Sequence, residues 1–350
     1  MIVLGIETSC DDTAAAVLAD GRLRSSIVSS QDAVHGPYGG IVPELASRHH
    51  VANILVVIHA ALEQAGVGIG DIEGIAVTRG PGLVGSLLVG LSAAKGIALS
   101  RGLPLVGVNH LEGHLLAIFL ERRVEFPYLA LLVSGGHTSL YLAEAVGRYR
   151  RIGCTRDDAA GEAFDKAAKM LGLGFPGGRV VDRLARSGNP AAIRFPRAVV
   201  RRSRYDFSFS GLKTALREEL RKRGHSDFPG HVGQVELARS PENLNVPFSV
   251  ADVAASFQEA VVDMLVAPTL EAARELGVSR VVVSGGVSAN SRLRERMLSD
   301  GQERGLEIFF PSPRFCTDNG AMIAYAGAER LARGEQDALT LNAVASLALE

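Results

Sequence analysis

The stretch Leu129-Ala130-Leu131-Leu132-Val133-Ser134-Gly135-Gly136 ends in Val-Ser-Gly-Gly, and the same four residues recur at Val283-Ser284-Gly285-Gly286, straight after Val281-Val282. Each copy couples a short, branched-chain apolar run to a glycine pair, which reads as a buried strand delivering a tight turn. Glycine lets the backbone bend sharply and approach a ligand with no Cβ in the way. A turn of this kind exposes N–H groups, which is what an anionic phosphate needs. A third segment carries the same logic with carboxylates added: Ile2-Val3-Leu4-Gly5-Ile6, then Glu7-Thr8-Ser9-Cys10-Asp11-Asp12-Thr13, then Ala14-Ala15-Ala16-Val17-Leu18. It reads as a strand, a polar turn and a returning strand.

Working outward, each strand-hairpin start is followed by helices and later strands. The first cycle predicts a helix over 43–65, a strand over 74–78, the Gly80-Pro81-Gly82 turn, a helix of small residues, and a strand over 105–108 that runs into His110. The second opens near Phe126 with the first Val-Ser-Gly-Gly copy and a returning strand over 139–142. The order implies an α/β protein of two related halves with a cleft between them. The expected units are 1–125, 126–318 with a long loop at about 224–248, and a C-terminal helix within 319–350 that returns to the first half. Val253, Phe257, Val261 and Leu265 have helical spacing over 249–276, with a break or kink expected near Pro268.

Composition narrows the class. At 350 residues, 47% hydrophobic and 21% charged, the chain is long enough for about two folded domains. The net charge of −1 excludes a uniformly basic nucleic-acid binder but leaves room for a local basic face. Three cysteines, Cys10, Cys154 and Cys316, form no Cys-x-x-Cys, which argues against a disulfide framework or zinc ribbon and fits a reducing cytosol. Glu7 interrupts the apolar start and no charged n-region precedes it, so no secretory signal is expected. Residues 80–99 are apolar apart from Lys95, but their Gly, Ala and Ser content suits a tightly packed internal helix better than a membrane span.

Several constellations could carry chemistry. His110-Leu111-Glu112-Gly113-His114 sets two imidazoles one helical turn apart, a spacing suited to one metal ion. Glu112 falls about 200° around the helix from His110, so a metallopeptidase built on this pair would lack its general base. Spacing alone serves two hydrogen-bonded structural histidines equally well. Glu7, Asp11 and Asp12 suit a hydrated cation or a phosphate, and equally a plain turn. Asp165 lies on a face with Glu162 and Lys169, where solvated ion pairs are the ordinary outcome. Gly178 and Asp182 follow a Pro-Gly-Gly turn that could simply begin a helix. Asn290 is placed either to cap the following helix or to touch a nucleotide, and Asp318 could be a cap. From Arg194 to Arg223 there are ten basic side chains against three acidic ones, with Tyr205, Phe207 and Phe209 interleaved. Such a face could grip an RNA backbone and stack a base, or be merely solvated.

Taken jointly, these segments resemble the bacterial TsaD family of tRNA N6-adenosine threonylcarbamoyltransferases. The match runs through Gly5-Ile6-Glu7-Thr8-Ser9-Cys10-Asp11-Asp12-Thr13, Val42-Pro43-Glu44-Leu45-Ala46-Ser47-Arg48, Gly80-Pro81-Gly82-Leu83-Val84-Gly85, the His110 to His114 motif, and Leu132-Val133-Ser134-Gly135-Gly136-His137-Thr138. It continues through residues 158–166, Phe207-Ser208-Phe209-Ser210-Gly211-Leu212-Lys213-Thr214, residues 284–290 and residues 316–321. These cover nearly the whole chain in family order.

The resemblance implies duplicated RNase H-like halves, as in the actin, Hsp70 and sugar-kinase superfamily, clasping ATP or an adenylate. It implies that His110, His114 and Asp318 coordinate one divalent metal, iron or zinc. By the same resemblance Leu132, Val133, Ser134, Gly135, Gly136 and Asn290 hold the adenylate, Asp165, Gly178 and Asp182 make the remaining substrate contacts, and Glu7 and Asp11 handle phosphate and cation. The implied reaction moves the threonylcarbamoyl group from L-threonylcarbamoyl-adenylate to N6 of adenosine 37, in tRNAs reading codons that begin with A, and releases AMP. Implied partners are tRNA and the TsaB and TsaE proteins, in the cytoplasm and without a membrane. No side chain is assigned as general base. A stand-alone ATP-dependent kinase or chaperone of the same superfamily, and a metallopeptidase, are the alternatives.

Overall fold

The computed structural model describes residues 1–198, 200, 203–222 and 249–349. The loop expected at about 224–248 lies outside the described residues. Two five-stranded sheets share one topology. In the first lobe β1 (Ile2–Glu7), β2 (Asp12–Ala19) and β3 (Arg22–Ser30) form an antiparallel meander. The short helix α1 (Asp32–His35) and the long α2 (Pro43–Ala65) follow. Then come β4 (Gly74–Gly80), α3 (Val84–Arg101), β5 (Leu105–Asn109) and α4 (His110–Leu116). Strands β4 and β5 add in parallel beside β1, giving the order β3-β2-β1-β4-β5.

The second lobe repeats the plan. A meander of β6 (Tyr128–Val133), β7 (Thr138–Ala145) and β8 (Arg148–Cys154) leads into α5 (Ala160–Met170), α6 (Gly177–Ala185), α7 (Ser210–Lys222) and α8 (Val250–Glu275). Next are β9 (Arg280–Ser284), α9 (Ser291–Glu303), β10 (Glu307–Phe309) and α10 (Pro313–Cys316). The sheet order β10-β9-β6-β7-β8 mirrors the first, again with the two later strands parallel to the opening one. Both Val-Ser-Gly-Gly copies therefore sit at the ends of neighbouring parallel strands, β6 and β9.

Helix α8 is not broken at Pro268: it runs unbroken past the proline to Glu275. Its buried face extends from Val253, Phe257, Val261 and Leu265 to Leu270 and Ala273, so packing outweighs the single backbone hydrogen bond that proline removes. Among the described residues, the one helix long and apolar enough to cross a membrane is α2, not the 80–99 stretch, and 39% of its most apolar window is buried within the fold.

Helix α11 (Gly320–Ala332) follows the second lobe's last strand yet packs on β1, β2 and β4 of the first. Small residues make that approach possible. A Cβ on Gly5 would lie 2.5 Å from the Ala324 nitrogen and inside the contact distance of the Gly320 carbonyl, and one on Gly320 would fall 2.6 Å from the Ala15 carbonyl carbon. Beyond it, residues 335–349 run along the open edge of β5: Asp337 donates its N–H to Leu105 O (2.7 Å) and its carboxylate accepts from Gly107 N (2.9 Å). Gly5→Ala should force α11 off β1 and lower unfolding free energy by about 1–3 kcal/mol, as overpacking does; a denaturant midpoint equal to wild type would show that the helix has slack.

Candidate metal centre between two glycine loops

Two chain segments converge at one point. His110 opens α4, whose N-cap is Asn109: its side-chain oxygen accepts from Leu111 N at 2.9 Å. His114 stands one turn on, and the rings meet edge to face with centroids 4.8 Å apart. Asp318 comes from the link between α10 and α11, fixed by Asn319, which donates to Thr317 O (2.8 Å) and caps α11 at Met322 N (2.9 Å). Its Oδ1 lies 3.1 Å from His114 Nε2 and 3.6 Å from His110 Nε2. One ligand atom from each residue falls within 4.8 Å of the others. Both imidazoles are buried, and Asp318 keeps about a fifth of its side chain exposed.

The electrostatics follow. Burial alone would raise the Asp318 carboxyl, but the His110 and His114 imidazoles outweigh it and hold the group well below the usual carboxylate range. Burial disfavours charge on His110, yet Asp318 and Glu7 push its pKa up to about 9. Burial and the neighbouring His110 ring lower that of His114, with its Asp318 bond opposing. Two nitrogens and a carboxylate oxygen facing one space form a donor set that suits iron or zinc. Glu112 is turned away, as the helical period requires: it accepts from the Tyr149 hydroxyl of β8 (3.1 Å), which takes the peptidase base out of reach.

The glycine loops lie alongside. In the first, Ser134 N donates to His137 O (2.8 Å) and His137 N to Ser134 Oγ (3.1 Å), leaving Gly135 and Gly136 exposed. Leu132 and Val133 are core residues, so only their backbones could face a ligand. Gly285 has φ +88°, and a Cβ there would fall 2.7 Å from the Val133 carbonyl carbon, so the two loops touch through backbone. Ser284 Oγ and Ser288 Oγ are buried with no partner beside them. His137 closes this loop; burial, then His110 and His114, lower its pKa to about 4, so the ring is neutral. Nothing in the spacing of a lone histidine announces this neighbourhood.

The remaining expected contacts form a structural network. Asp165 accepts from Gly177 N (2.7 Å) and also binds the Gly178 backbone; burial raises its pKa. Asp182 accepts from Ser291 N (3.1 Å) and Ser291 Oγ (2.7 Å). Asn290 caps α9 and donates to Gln258 Oε1 at 2.7 Å. Asp182 and Asn290 are thereby brought to one place, beside a cavity of about 220 Å³ lined by Arg186, Gln258, Ser291 and Arg292. Asp165 and Gly178 meet at the neighbouring turn.

Glu7 is fully buried, with Oε2 3.0 Å from His110 Nδ1. Part of the basic run from Arg194 is paired within the fold, with Arg197 on Asp263, Arg204 on Glu271 and Glu275, and Lys213 on Asp158. Phe207 and Phe209 are buried and stacked on each other, and the Tyr205 hydroxyl binds Glu275, so these rings are not free to stack on a base.

A two-lobed α/β protein with a repeated meander, paired glycine turns and a cleft belongs to the class of duplicated RNase H-like folds. In fold it is similar to the activator of 2-hydroxyisocaproyl-CoA dehydratase from Clostridium difficile (TM-score 0.54, 14% identity, 97% of this chain and 99% of that one). It is likewise similar to full-length HypF (TM-score 0.60, 14% identity, 94% and 55%). Residues 22–325 match the family model for TsaD, tRNA N6-adenosine threonylcarbamoyltransferase. Relatives of that name from Syntrophotalea carbinolica and Syntrophus aciditrophicus are each 53% identical, over 98% and 100% of this chain and 95% and 98% of their own lengths. The chain belongs to the TsaD family, and its activity is that of a tRNA N6-adenosine threonylcarbamoyltransferase.

Asp11 and Asp12 border the site. Burial first, and then Asp318, raise their pKa values to about 6 and about 8. The folded state therefore holds these protons more tightly than the unfolded chain, and stability falls as pH rises from the ordinary carboxylate range through about 8. Asp12→Asn in metal-free protein should be more stable than wild type by about 1 kcal/mol or more near pH 8.5, with the gap closing toward about pH 4. Thermal melts across that range check it; a gap independent of pH would show that Asp12 does not titrate.

Proposed function

We propose that this chain transfers the threonylcarbamoyl group from L-threonylcarbamoyl-adenylate to N6 of adenosine 37, in tRNAs reading codons that begin with A, releasing AMP. The observation that carries the reading is the convergence of His110, His114 and Asp318 beside the glycine loop that ends in His137. These three residues would hold a divalent ion, iron before zinc, which when bound supplies Lewis acidity to carbamoyl or phosphate oxygens. Gly135 and Gly136 offer N–H groups to the adenylate phosphate, where charge builds as AMP leaves, and Leu132, Val133 and Ser134 hold the loop that presents them. Asp165, Gly178, Asp182 and Asn290 make the remaining contacts, to the nucleoside end. Adenine's exocyclic amine is a poor nucleophile, so positioning and activation of the acyl donor carry the rate.

Units 1–125, 126–318 and 319–350 are the division we adopt, with the cleft between the first two. We place the reaction in the cytoplasm, in keeping with three free cysteines. TsaB and TsaE are the partners. The exposed apolar residues Val51, Leu55 and Val56 of α2 support a protein partner, since a monomer gains nothing from leaving them in water.

Full-length protein with TsaB, TsaE, threonylcarbamoyl-adenylate and unmodified tRNA should form the modified nucleoside, read by mass spectrometry of digested tRNA. His114→Ala and Asp318→Ala should each lose about 10²-fold or more in rate together with bound metal. Unmodified tRNA with wild type, or full activity in either variant, would refute the reading.

A further inference from the structure

Glu7 is the one carboxylate of the site with no solvent exposure, and it is aimed at a histidine. Three donors converge on its two oxygens. Ser9 N donates to Oε1, while Thr78 Oγ1 (2.7 Å) and His110 Nδ1 (3.0 Å) both meet Oε2. Ser9 Oγ lies 3.1 Å from the same ring nitrogen. A carboxylate side chain offers two acceptor oxygens, enough to meet all three. A glutamine has one acceptor oxygen, and its amide would turn N–H groups toward at least one donor.

From this geometry we infer that Glu7 is a positioning residue: it fixes the proton of His110 on Nδ1, so that the Nε2 lone pair points at Asp318 and the metal position. The inference rests on the metal reading above and adds a residue that the reading does not use. The two histidines differ in this respect. His114 Nδ1 is buried with no hydrogen-bond partner, so of the two histidines only His110 has a carboxylate on the ring nitrogen turned away from Asp318. The backbone favours the arrangement: Glu7 ends β1, Thr78 stands on the adjacent parallel strand β4, and β5 beyond it runs directly into His110. Glu7 therefore reaches across the strand ends toward the metal helix from inside the sheet.

The test compares full-length wild type, Glu7→Gln and Thr78→Val. Thr78→Val removes a hydrogen bond from the same carboxylate but leaves the His110 contact, so it controls for a merely structural role. Metal affinity is measured by titration with Co(II) or Zn(II) in the absence of tRNA. The tautomer of His110 in metal-free protein is read from the 15N shifts of labelled histidine at a pH above about 9, where the ring keeps a single proton. Wild type should show Nδ1–H at His110. Glu7→Gln should lose that signature and bind metal about 10–100-fold more weakly, with Thr78→Val within a few-fold of wild type. Glu7→Asp serves where Glu7→Gln fails to fold: the charge is kept but set back by one methylene, and the same loss of signature and affinity is expected. Wild-type affinity in a folded Glu7 variant, or an unchanged His110 tautomer, overturns the inference alone. A wild type that binds neither metal overturns the metal reading with it.

Discussion

The attraction between one carboxylate and two buried imidazoles is what the two lobes are assembled around. His110 and His114 belong to a short helix leaving the first sheet; Asp318 arrives from the far end of the second lobe, 3.1 Å from His114 Nε2. Burying any of these groups alone would be costly, because a lone charge in a low-dielectric interior has nothing to replace its water. Together they neutralise one another and leave a donor set facing one space. The cost of keeping polar groups buried is thereby turned into affinity for a cation, provided the segments are held in register.

Register is supplied by packing in which there is no room for side chains. Helix α11 begins two residues after Asp318 and lies on β1 so closely that Gly5 and Gly320 admit no Cβ. Interiors packed this tightly do not yield gradually, so the position of Asp318 is inherited from the contact of α11 with the first sheet. Helix α4 is held from the other side: Tyr128 OH donates to Leu115 O (2.9 Å) and Tyr149 OH to Glu112, both from the second sheet. Each lobe thus grips the element that carries the other side of the donor set.

Much of this is legible in the sequence, and the remainder fails for identifiable reasons. The doubled Val-Ser-Gly-Gly marks the ends of adjacent parallel strands because a buried strand and a glycine turn both have local signatures. The two histidines on one helix face, and Glu112 off it, follow from a period of 3.6. The link from His110 to Glu7 across about a hundred residues has no local signature, since it depends on β1, β4 and β5 being neighbours. The break expected at Pro268 does not occur because burial along α8 outweighs one missing hydrogen bond. The basic and aromatic run from Arg194 misleads because composition counts charges but cannot see their partners: Arg204 bridges Glu271 and Glu275, and Phe207 packs into the core.

The surroundings of the donor set bear on why a cation would be held there. Asp11 and Asp12 stand near Asp318, and burial together with its negative charge raises both of their pKa values. Among the described residues, no lysine or arginine forms an ion pair with Asp11, Asp12 or Asp318; the imidazoles of His110 and His114 are the partners Asp318 has. Elsewhere in the second lobe acids are neutralised by arginines, as at Glu259, Asp263 and Asp300. The contrast is one of design in the charge distribution: an arginine at the site would satisfy the carboxylates permanently and repel a divalent ion. With no such fixed charge, a cation entering the space meets carboxylates whose protons it can displace.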